Sequence, residues 1–219
     1  MAQASTPDQT RPTRGRRSAR PSGDDRERAI LATAEELLAQ RPLAEISIDD
    51  LAKGAGISRP TFYFYFRSKE AVLLTLLDQV VQQADTAADA VFHASTEITA
   101  RHWRKAINFY FETFNAHRAV AVACARATGV SPEVTQLWSA VMTNWVRRSA
   151  EWIQAERDRG AAPQGAPAWD IALVLNLMNE RSMFAVLAGQ QPALPEADLV
   201  DTLLEVWLRT IYQGTPPPP

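Results

Sequence analysis

The sequence has 219 residues, of which 46% are hydrophobic, so it can bury one large core or two modest ones. Its net charge of −2 does not by itself indicate a nucleic-acid partner. Its single cysteine, Cys124, excludes a disulfide within the chain and suits a reducing compartment. It carries no apolar run long enough to span a bilayer and no recognisable signal peptide, so we expect a cytoplasmic protein without membrane contact.

The charges are distributed unevenly along the chain. Residues 1–70 carry 12 Lys and Arg against 10 Asp and Glu, whereas residues 71–219 carry 11 against 15. Residues 1–22 are rich in Gln, Ser, Thr, Pro and Arg, which predicts a disordered arm. Five arginines with no acid among them lie in this arm: Arg11, Arg14, Arg16, Arg17 and Arg20. Such a cluster is either a solubilising tail or, beside a DNA-reading element, an arm that contacts phosphates or the minor groove.

The first helix is predicted from its cap and its apolar stripe. Ser22 and Asp25 have the spacing of a capping box, and we expect the helix to run to about Gln40, before Pro42 stops it. Its apolar residues recur at the spacing of a core-facing helix: Ile30, Ala34, Leu37 and Leu38.

Two further short helices follow, joined by a glycine-containing turn. Ser47 and Asp50 form a second predicted capping box, and Gly56 can adopt the left-handed conformation that ends a helix. Ser58 is a third N-cap, with Pro60 in the first turn, where a missing N–H costs little. Two short helices in this order predict a helix-turn-helix, whose second helix enters the major groove of DNA.

The same stretch resembles the signature of the tetracycline-repressor (TetR) family of transcriptional regulators. The matching residues are Ile48, Leu51, Ala52, Ala55, Gly56, Ile57, Ser58, Thr61, Phe62, Tyr63, Tyr65, Phe66, Ser68, Lys69 and Glu70. From about Gly15 to Tyr212 the chain is similar to one repressor of that family that controls a flavin monooxygenase gene. The similarity is carried by segments such as WRKAINFYFETF, AERDRGAAP and LNLMNER.

This resemblance implies a set of DNA contacts. Phe62 and Phe66 lie four residues apart and are expected to pack inward, leaving the other side chains of the third helix for DNA. The predicted DNA-binding residues are Ser58, Arg59, Thr61, Tyr63, Tyr65 and Lys69, together with Arg14, Arg16 and Arg17 of the arm.

The rest of the chain is predicted to be helical. A long fourth helix from Lys69 to about Phe92 would link two domains, and breaks near residues 115–117, 129, 160–167 and 189–195 separate the helices that follow it. We therefore predict an all-α protein of about nine helices. Its predicted parts are the arm (1–22), a three-helix DNA-binding domain (23–70), a ligand-binding and dimerisation domain (71–213) and a disordered tail (214–219).

Two aromatic stripes in this second domain predict either a packed core or the walls of a large apolar cavity. The first comprises Trp103, Ile107, Tyr110 and Phe114, and the second Trp138, Met142, Trp145, Ser149 and Trp152. The resemblance implies a ligand pocket lined by Trp103, Phe114, Trp138, Trp145, Asn179, Phe184 and Trp207. The chain departs from the family member at Tyr110, Arg148 and Ser149, where Phe, Tyr and Thr are expected. Arg148 at the pocket rim would either admit an anionic head group or extend outward into solvent.

Asn176 and Asn179 lie three residues apart among apolar residues of the eighth helix. A buried amide must be hydrogen-bonded, so each either bonds a protein neighbour or orients a mainly apolar ligand. The last helix, from about Glu196 to Tyr212, is apolar on more than one face, which is typical of burial against a partner as well as the core. In the TetR family the last two helices form the dimer interface.

Enzyme chemistry finds little support in the sequence. His93, His102 and His117 are too widely spaced for a metal-ligand pattern, and no nucleophile, phosphate-loop or dinucleotide motif is present. We therefore predict no catalytic residues, no metal and no cofactor. The predicted function is that of a dimeric repressor that binds operator DNA and is released by a small hydrophobic ligand. The alternative is a hydrophobic-ligand carrier without a DNA-binding function.

Overall fold

A computed structural model of the chain describes residues 22–93 and 98–214. This part of the chain contains nine α-helices, a short 3-10 turn (Leu43–Glu45) and no strand. The helices are α1 (Gly23–Leu38), α2 (Ile48–Gly54), α3 (Arg59–Tyr65), α4 (Lys69–His93), α5 (Ala100–Ala116), α6 (Arg118–Ala127), α7 (Pro132–Asp158), α8 (Ala168–Leu187) and α9 (Glu196–Tyr212). The all-α prediction is confirmed, although α1 ends two residues before the predicted Gln40.

The predicted helix caps of the N-terminal bundle are present. The Ser22 hydroxyl accepts from the Asp25 backbone N–H at 3.1 Å, and the Asp25 carboxylate accepts in return from the Ser22 N–H at 2.9 Å. Ser47 and Asp50 make the same reciprocal pair at the start of α2. Backbone and side-chain hydrogen bonds from each serine lower the pKa of its Asp partner, because they stabilise the charged carboxylate.

Helices α1 and α2 pack closely against each other at Gly54. A Cβ atom at this position would lie 2.2 Å from Cγ2 of the buried Thr33 on α1. Gly54→Ala is therefore expected to lower the free energy of unfolding by about 1–3 kcal/mol, the range for overpacking. Thr33→Ala should partly rescue it in the double variant, measured by denaturant unfolding. Equal stabilities of Gly54→Ala and the unmodified protein would contradict this close α1–α2 packing.

Helix α4 joins the N-terminal bundle to the rest of the molecule. One side of it is buried along much of its length, through Val72, Leu73, Leu76, Leu77 and Val80. It packs against α1 at one end and against α5, α6 and α7 further along. The buried core continues along α4 without a break, so the predicted domain division at residue 70 stays a prediction.

A second connection between the two regions runs from α1 to the turn between α5 and α6. The Glu35 carboxylate lies 2.6 Å from Nδ1 of His117. One residue later, the Arg118 guanidinium donates to the backbone carbonyls of Leu187 and Val186 at the end of α8. None of the helices in the described ranges is both long enough and apolar enough to cross a membrane.

Candidate DNA interface and ligand cavity

Helix α3 is the candidate DNA-reading element, and its serine cap fixes where it starts. The Ser58 hydroxyl accepts from the Thr61 backbone N–H at 3.3 Å and lies 2.8 Å from the Thr61 hydroxyl. Pro60 lies in the first turn, as predicted. Because these contacts hold the first turn in place, the following aromatic residues have defined directions.

The aromatic run on α3 divides into a buried side and an exposed side. Phe62 is fully buried and Phe66 nearly so, which confirms the inward packing predicted for them. Tyr63 is 47% exposed and Phe64 is 85% exposed. Phe64 was not among the predicted DNA-binding residues. Its position two residues from both core phenylalanines already placed it opposite the core, and that spacing could have identified it.

Arg59 stands beside Tyr63 on the exposed side of α3. Its guanidinium forms a 3.3 Å ion pair with Asp49 of α2 and lies over the Tyr63 ring, 6.0 Å from the centroid. Thr61 and Tyr65 are half-buried. The predicted contacts of Arg14, Arg16 and Arg17 fall outside the described residues.

Lys69 lies in a different environment from the other predicted DNA-binding residues. Its ammonium donates to the backbone carbonyls of Leu43 at 2.7 Å, Ile46 at 2.9 Å and Ala44 at 3.2 Å. These bonds use all three of its donors and tie the start of α4 to the turn before α2. A DNA phosphate would have to compete with them, so the geometry favours a structural role for Lys69.

Lys69→Met tests that role. We expect a reduction of about 1.5–3 kcal/mol in unfolding free energy, the range for hydrogen bonds to a charged group. The cost arises because three carbonyls lose their donor. Chemical denaturation of the variant beside Lys53→Met, whose lysine is exposed on α2, gives the comparison. Unchanged stability with weakened DNA binding would instead assign Lys69 to the DNA interface.

The candidate ligand site is a cavity of about 80 Å³ between α4, α5, α6, α7 and α8. Seven predicted residues line it: Tyr110, Phe114, Trp138, Trp145, Asn176, Asn179 and Phe184. Seven that were not predicted also line it: Leu77, Ala121, Cys124, Ala125, Glu180, Met183 and Leu187. Glu180 follows Asn176 at helical spacing, which could have indicated it. The cavity is smaller than the roughly 300–1,000 Å³ of sites for drug-sized ligands, so such a ligand must displace side chains to enter.

Three aromatic rings of this wall stand at right angles to one another. Phe114, Trp138 and Trp145 form three edge-to-face pairs with interplanar angles of 87–88° and centroid separations of 5.6–6.2 Å. Trp138 donates its indole N–H to the Glu180 carboxylate at 3.2 Å. Cys124 lies in the apolar part of the lining, and burial raises the pKa of its thiol to about 12, which keeps the thiol protonated at neutral pH.

Five predicted ligand-binding residues do not line the cavity: Trp103, Ile107, Met142, Ser149 and Trp207. Trp103 and Trp207 belong to a second aromatic cluster with Phe92 and Trp152, whose rings pack against one another. Trp103 is fully buried and donates its indole N–H to the Tyr212 hydroxyl at 3.0 Å. Helical spacing predicts that all five face the core, but it does not predict which core-facing side chains line a cavity.

The two asparagines are hydrogen-bonded within the protein. Asn176 donates to the Ser149 hydroxyl at 3.1 Å and to the Ala172 carbonyl at 2.8 Å. Asn179 accepts from the Trp207 indole N–H at 3.0 Å. Both side chains also line the cavity, so a ligand that bonds the Asn179 oxygen must share it with Trp207 or displace the indole.

Asp85 links α4, the helix that follows α3, to the wall of the cavity. One of its oxygens accepts from the Trp145 indole N–H at 2.8 Å and the Tyr110 hydroxyl at 3.1 Å, and lies 3.1 Å from the Arg148 guanidinium. Burial, followed by the nearby Asp85 charge, raises the pKa of Tyr110, so its hydroxyl remains a donor. Three groups from α5 and α7 thus meet on one carboxylate of α4.

Arg148 was expected either to face a ligand at the pocket rim or to extend into solvent, and it does neither. Its side chain is only 12% exposed, pairs with both Asp85 and Asp89, and lies over the Trp152 ring. It is not among the residues that line the cavity. The two carboxylates of α4 hold the guanidinium inside the helix interface, so it neither faces a ligand nor extends into solvent.

An apolar face remains uncovered on the last two helices. It comprises Trp169, Leu173, Val174 and Leu177 of α8 with Val206 of α9, each at least 38% exposed. The sequence indicated α9 as the two-sided apolar helix, whereas α8 contributes four of these five residues. Helices α8 and α9 pack against each other, and these five exposed side chains are here called the α8–α9 face, the candidate interface.

Comparison with known proteins places these features in one family. The profile of the family "Transcriptional regulator EthR, C-terminal domain" matches residues 103–213, and that of "Bacterial regulatory proteins, tetR family" matches residues 30–76. The HTH-type transcriptional regulator EthR of Mycobacterium tuberculosis is 60% identical over 200 residues, covering 91% of this chain and 93% of the relative. EthR of Mycolicibacterium smegmatis is 54% identical over 212 residues, covering 97% of each.

A solved structure supports the fold. A putative TetR-family transcriptional regulator from Syntrophomonas wolfei superposes with a TM-score of 0.73 at 16% identity, covering 87% of this chain and 96% of the other. The family itself is established by the two profiles and by the identity to the EthR proteins. The chain belongs to the TetR family of bacterial transcriptional regulators and, within that family, to the EthR group.

Proposed function

We propose that the protein is a dimeric repressor that binds operator DNA through α3 and is released by a small, mainly apolar ligand in the cavity. The observation that carries the proposal is that α4 links α3 to the wall of the cavity. This helix begins four residues after α3 ends, and Asp85, 16 residues further on, holds two side chains of the cavity wall. At 1.5 Å per residue, about 24 Å of helix separate the two sites.

The contacts at Asp85 suggest how a ligand would act. The cavity is too small for a drug-sized ligand, so entry must displace wall residues such as Tyr110 and Trp145. Their displacement breaks or stretches their bonds to Asp85 and changes the resting position of α4. A two-fold dimer must hold its two reading helices about 34–36 Å apart to enter successive major grooves. A ligand that favours another separation therefore weakens DNA binding.

The linkage between the ligand and operator DNA can be measured on one protein sample. Ligand affinity, followed by tryptophan fluorescence, should fall in the presence of operator DNA by the factor by which ligand weakens DNA binding. The tryptophans Trp138 and Trp145 line the cavity and report occupancy directly. Equal ligand affinities with and without operator would show that the cavity does not control DNA binding.

The N-terminal arm is proposed to add affinity without sequence preference. Deleting residues 1–20, which removes Arg11, Arg14, Arg16, Arg17 and Arg20, should weaken binding to all DNA sequences alike. The slope of log affinity against log salt should become shallower by about 0.9 for each DNA phosphate that the arm no longer neutralises. Anisotropy titrations at several salt concentrations give this slope. An unchanged slope after the deletion would assign the arm to solubility alone.

The regulated gene is proposed from resemblance rather than from the fold. We propose a monooxygenase gene as the target because the chain is similar to a repressor that controls a flavin monooxygenase gene. The cytoplasm is proposed as the place of action because operator DNA lies there. Transcript levels in a strain lacking the protein test the target. A monooxygenase transcript that does not rise would exclude it.

A further inference from the structure

We infer that the cavity selects apolar ligands with a positively charged head group, such as an alkylammonium ion. This inference rests on the proposed ligand response and adds the chemical class of the ligand. Its starting point is the corner formed by the perpendicular rings of Phe114, Trp138 and Trp145. A cation is attracted to the electron-rich faces of aromatic rings, and several rings around one point form a cage for quaternary ammonium groups.

Among the described residues, the single charged one in the cavity lining is an acid at this corner. Glu180 accepts from the Trp138 indole N–H through one oxygen, at 3.2 Å. Its second oxygen has no hydrogen-bond partner among the described residues. A cation seated between the rings and this carboxylate would gain both a ring contact and an opposite charge.

No positive group competes for Glu180 within the described lining, which contains no Lys, Arg or His. Two arginines of the neighbouring helices are held elsewhere. Arg148 is paired with Asp85 and Asp89. Arg181 lies over the Phe184 ring and donates to Gln190, and it does not line the cavity. An anionic head group would therefore meet a carboxylate without a compensating cation.

The remaining lining of the cavity suits the apolar part of such a ligand. It is lined by aliphatic and small side chains of α4, α6 and α8: Leu77, Ala121, Cys124, Ala125, Met183 and Leu187. A linear amphiphile with its head between Trp138 and Glu180 would direct its chain along these residues. Burial of the chain supplies affinity, and the head group supplies selectivity.

Three probes of equal chain length test the inference: decyltrimethylammonium, decanol and decanoate, each below its aggregation concentration. Quenching of tryptophan fluorescence in the full-length protein measures their affinities. We expect the cation to bind at least about tenfold more tightly than the alcohol, and the carboxylate to bind more weakly than the alcohol. Equal binding of cation and alcohol would overturn the inference and leave the proposed ligand cavity intact. Failure of all three probes to bind would overturn both.

Glu180→Gln isolates the charge, because glutamine keeps an acceptor for the Trp138 indole. The variant should reduce the preference for the cation to within about threefold and leave the affinity for decanol unchanged. Glu151→Gln on α7 is the matched control, since Glu151 is exposed and paired with Arg147 away from the cavity. If the Glu180→Gln variant kept the full preference for the cation over decanol, Glu180 would not be part of the cation site. The comparison of the three probes on the unmodified protein stands even if this variant fails to fold.

Discussion

The double variant Val174→Glu, Leu177→Glu is expected to be monomeric and to bind operator DNA at least about 100-fold more weakly than the unmodified protein. Both residues lie on the α8–α9 face, where they are 65% and 47% exposed. In a two-fold interface the same patch meets its own copy, so each new carboxylate would face a like charge across it. In the proposed dimer, loss of the partner subunit removes the second reading helix, and linked binding sites gain about 10²–10⁴ in affinity from their connection.

Sedimentation and anisotropy titration measure the two effects separately. Val130→Glu is the matched control, because Val130 is an 82% exposed apolar residue in the connection between α6 and α7 and is not one of the five residues of the α8–α9 face. It should change neither mass nor DNA affinity. A double variant that remains dimeric would place the interface on another surface.

Phe64→Ala is expected to lower operator affinity by about tenfold while leaving thermal unfolding nearly unchanged. The ring is 85% exposed on the face of α3 opposite the core, so its removal costs little packing. An exposed aromatic ring in the major groove can touch a thymine methyl group, and removing one such interaction with a base costs about 1–3 kcal/mol.

Comparing operator with random DNA shows whether Phe64 contacts bases or contributes to the affinity for any DNA. Binding to random duplex DNA of the same length should change by less than about twofold, because phosphate contacts supply most non-specific affinity. Val130→Ala provides the matched removal of an exposed apolar side chain outside α3. An equal reduction in affinity for operator and random DNA would contradict a base-reading role for Phe64.

Local signals predicted the helical framework well because they act over three or four residues. The boxes at Ser22 and Ser47 and the cap at Ser58 appear as expected, since each serine bonds a backbone group within its own first turn. The inward packing of Phe62 and Phe66 follows from helical periodicity in the same way.

The partners of polar side chains could not be predicted from such signals. Arg148 binds two acids of α4 that lie about 60 residues away in sequence, and Lys69 binds carbonyls before α2. Spacing assigns a side chain to a helix face but not to a partner on another helix. For the same reason, the aromatic stripes did not predict that one cluster lines a cavity while Trp103 and Trp207 pack against other rings in a second cluster.

A hydrophobic-ligand carrier would use the same cavity without any need for α3. The exposed aromatic side chains of α3, the short connection from α3 to α4 and the identity to EthR regulators favour the repressor instead. The two functions differ in one measurable property, the selective binding of a particular DNA sequence.

The most direct test of the repressor function is therefore an anisotropy titration of the protein against fragments of the DNA that flanks its gene. Each fragment is compared with a random duplex of equal length at one fixed, near-physiological salt concentration. We expect one fragment to bind at least about 10³-fold more tightly than the random duplex, which is the range for specific operator binding. Equal affinity for every fragment and the random duplex would contradict the repressor function and favour the carrier.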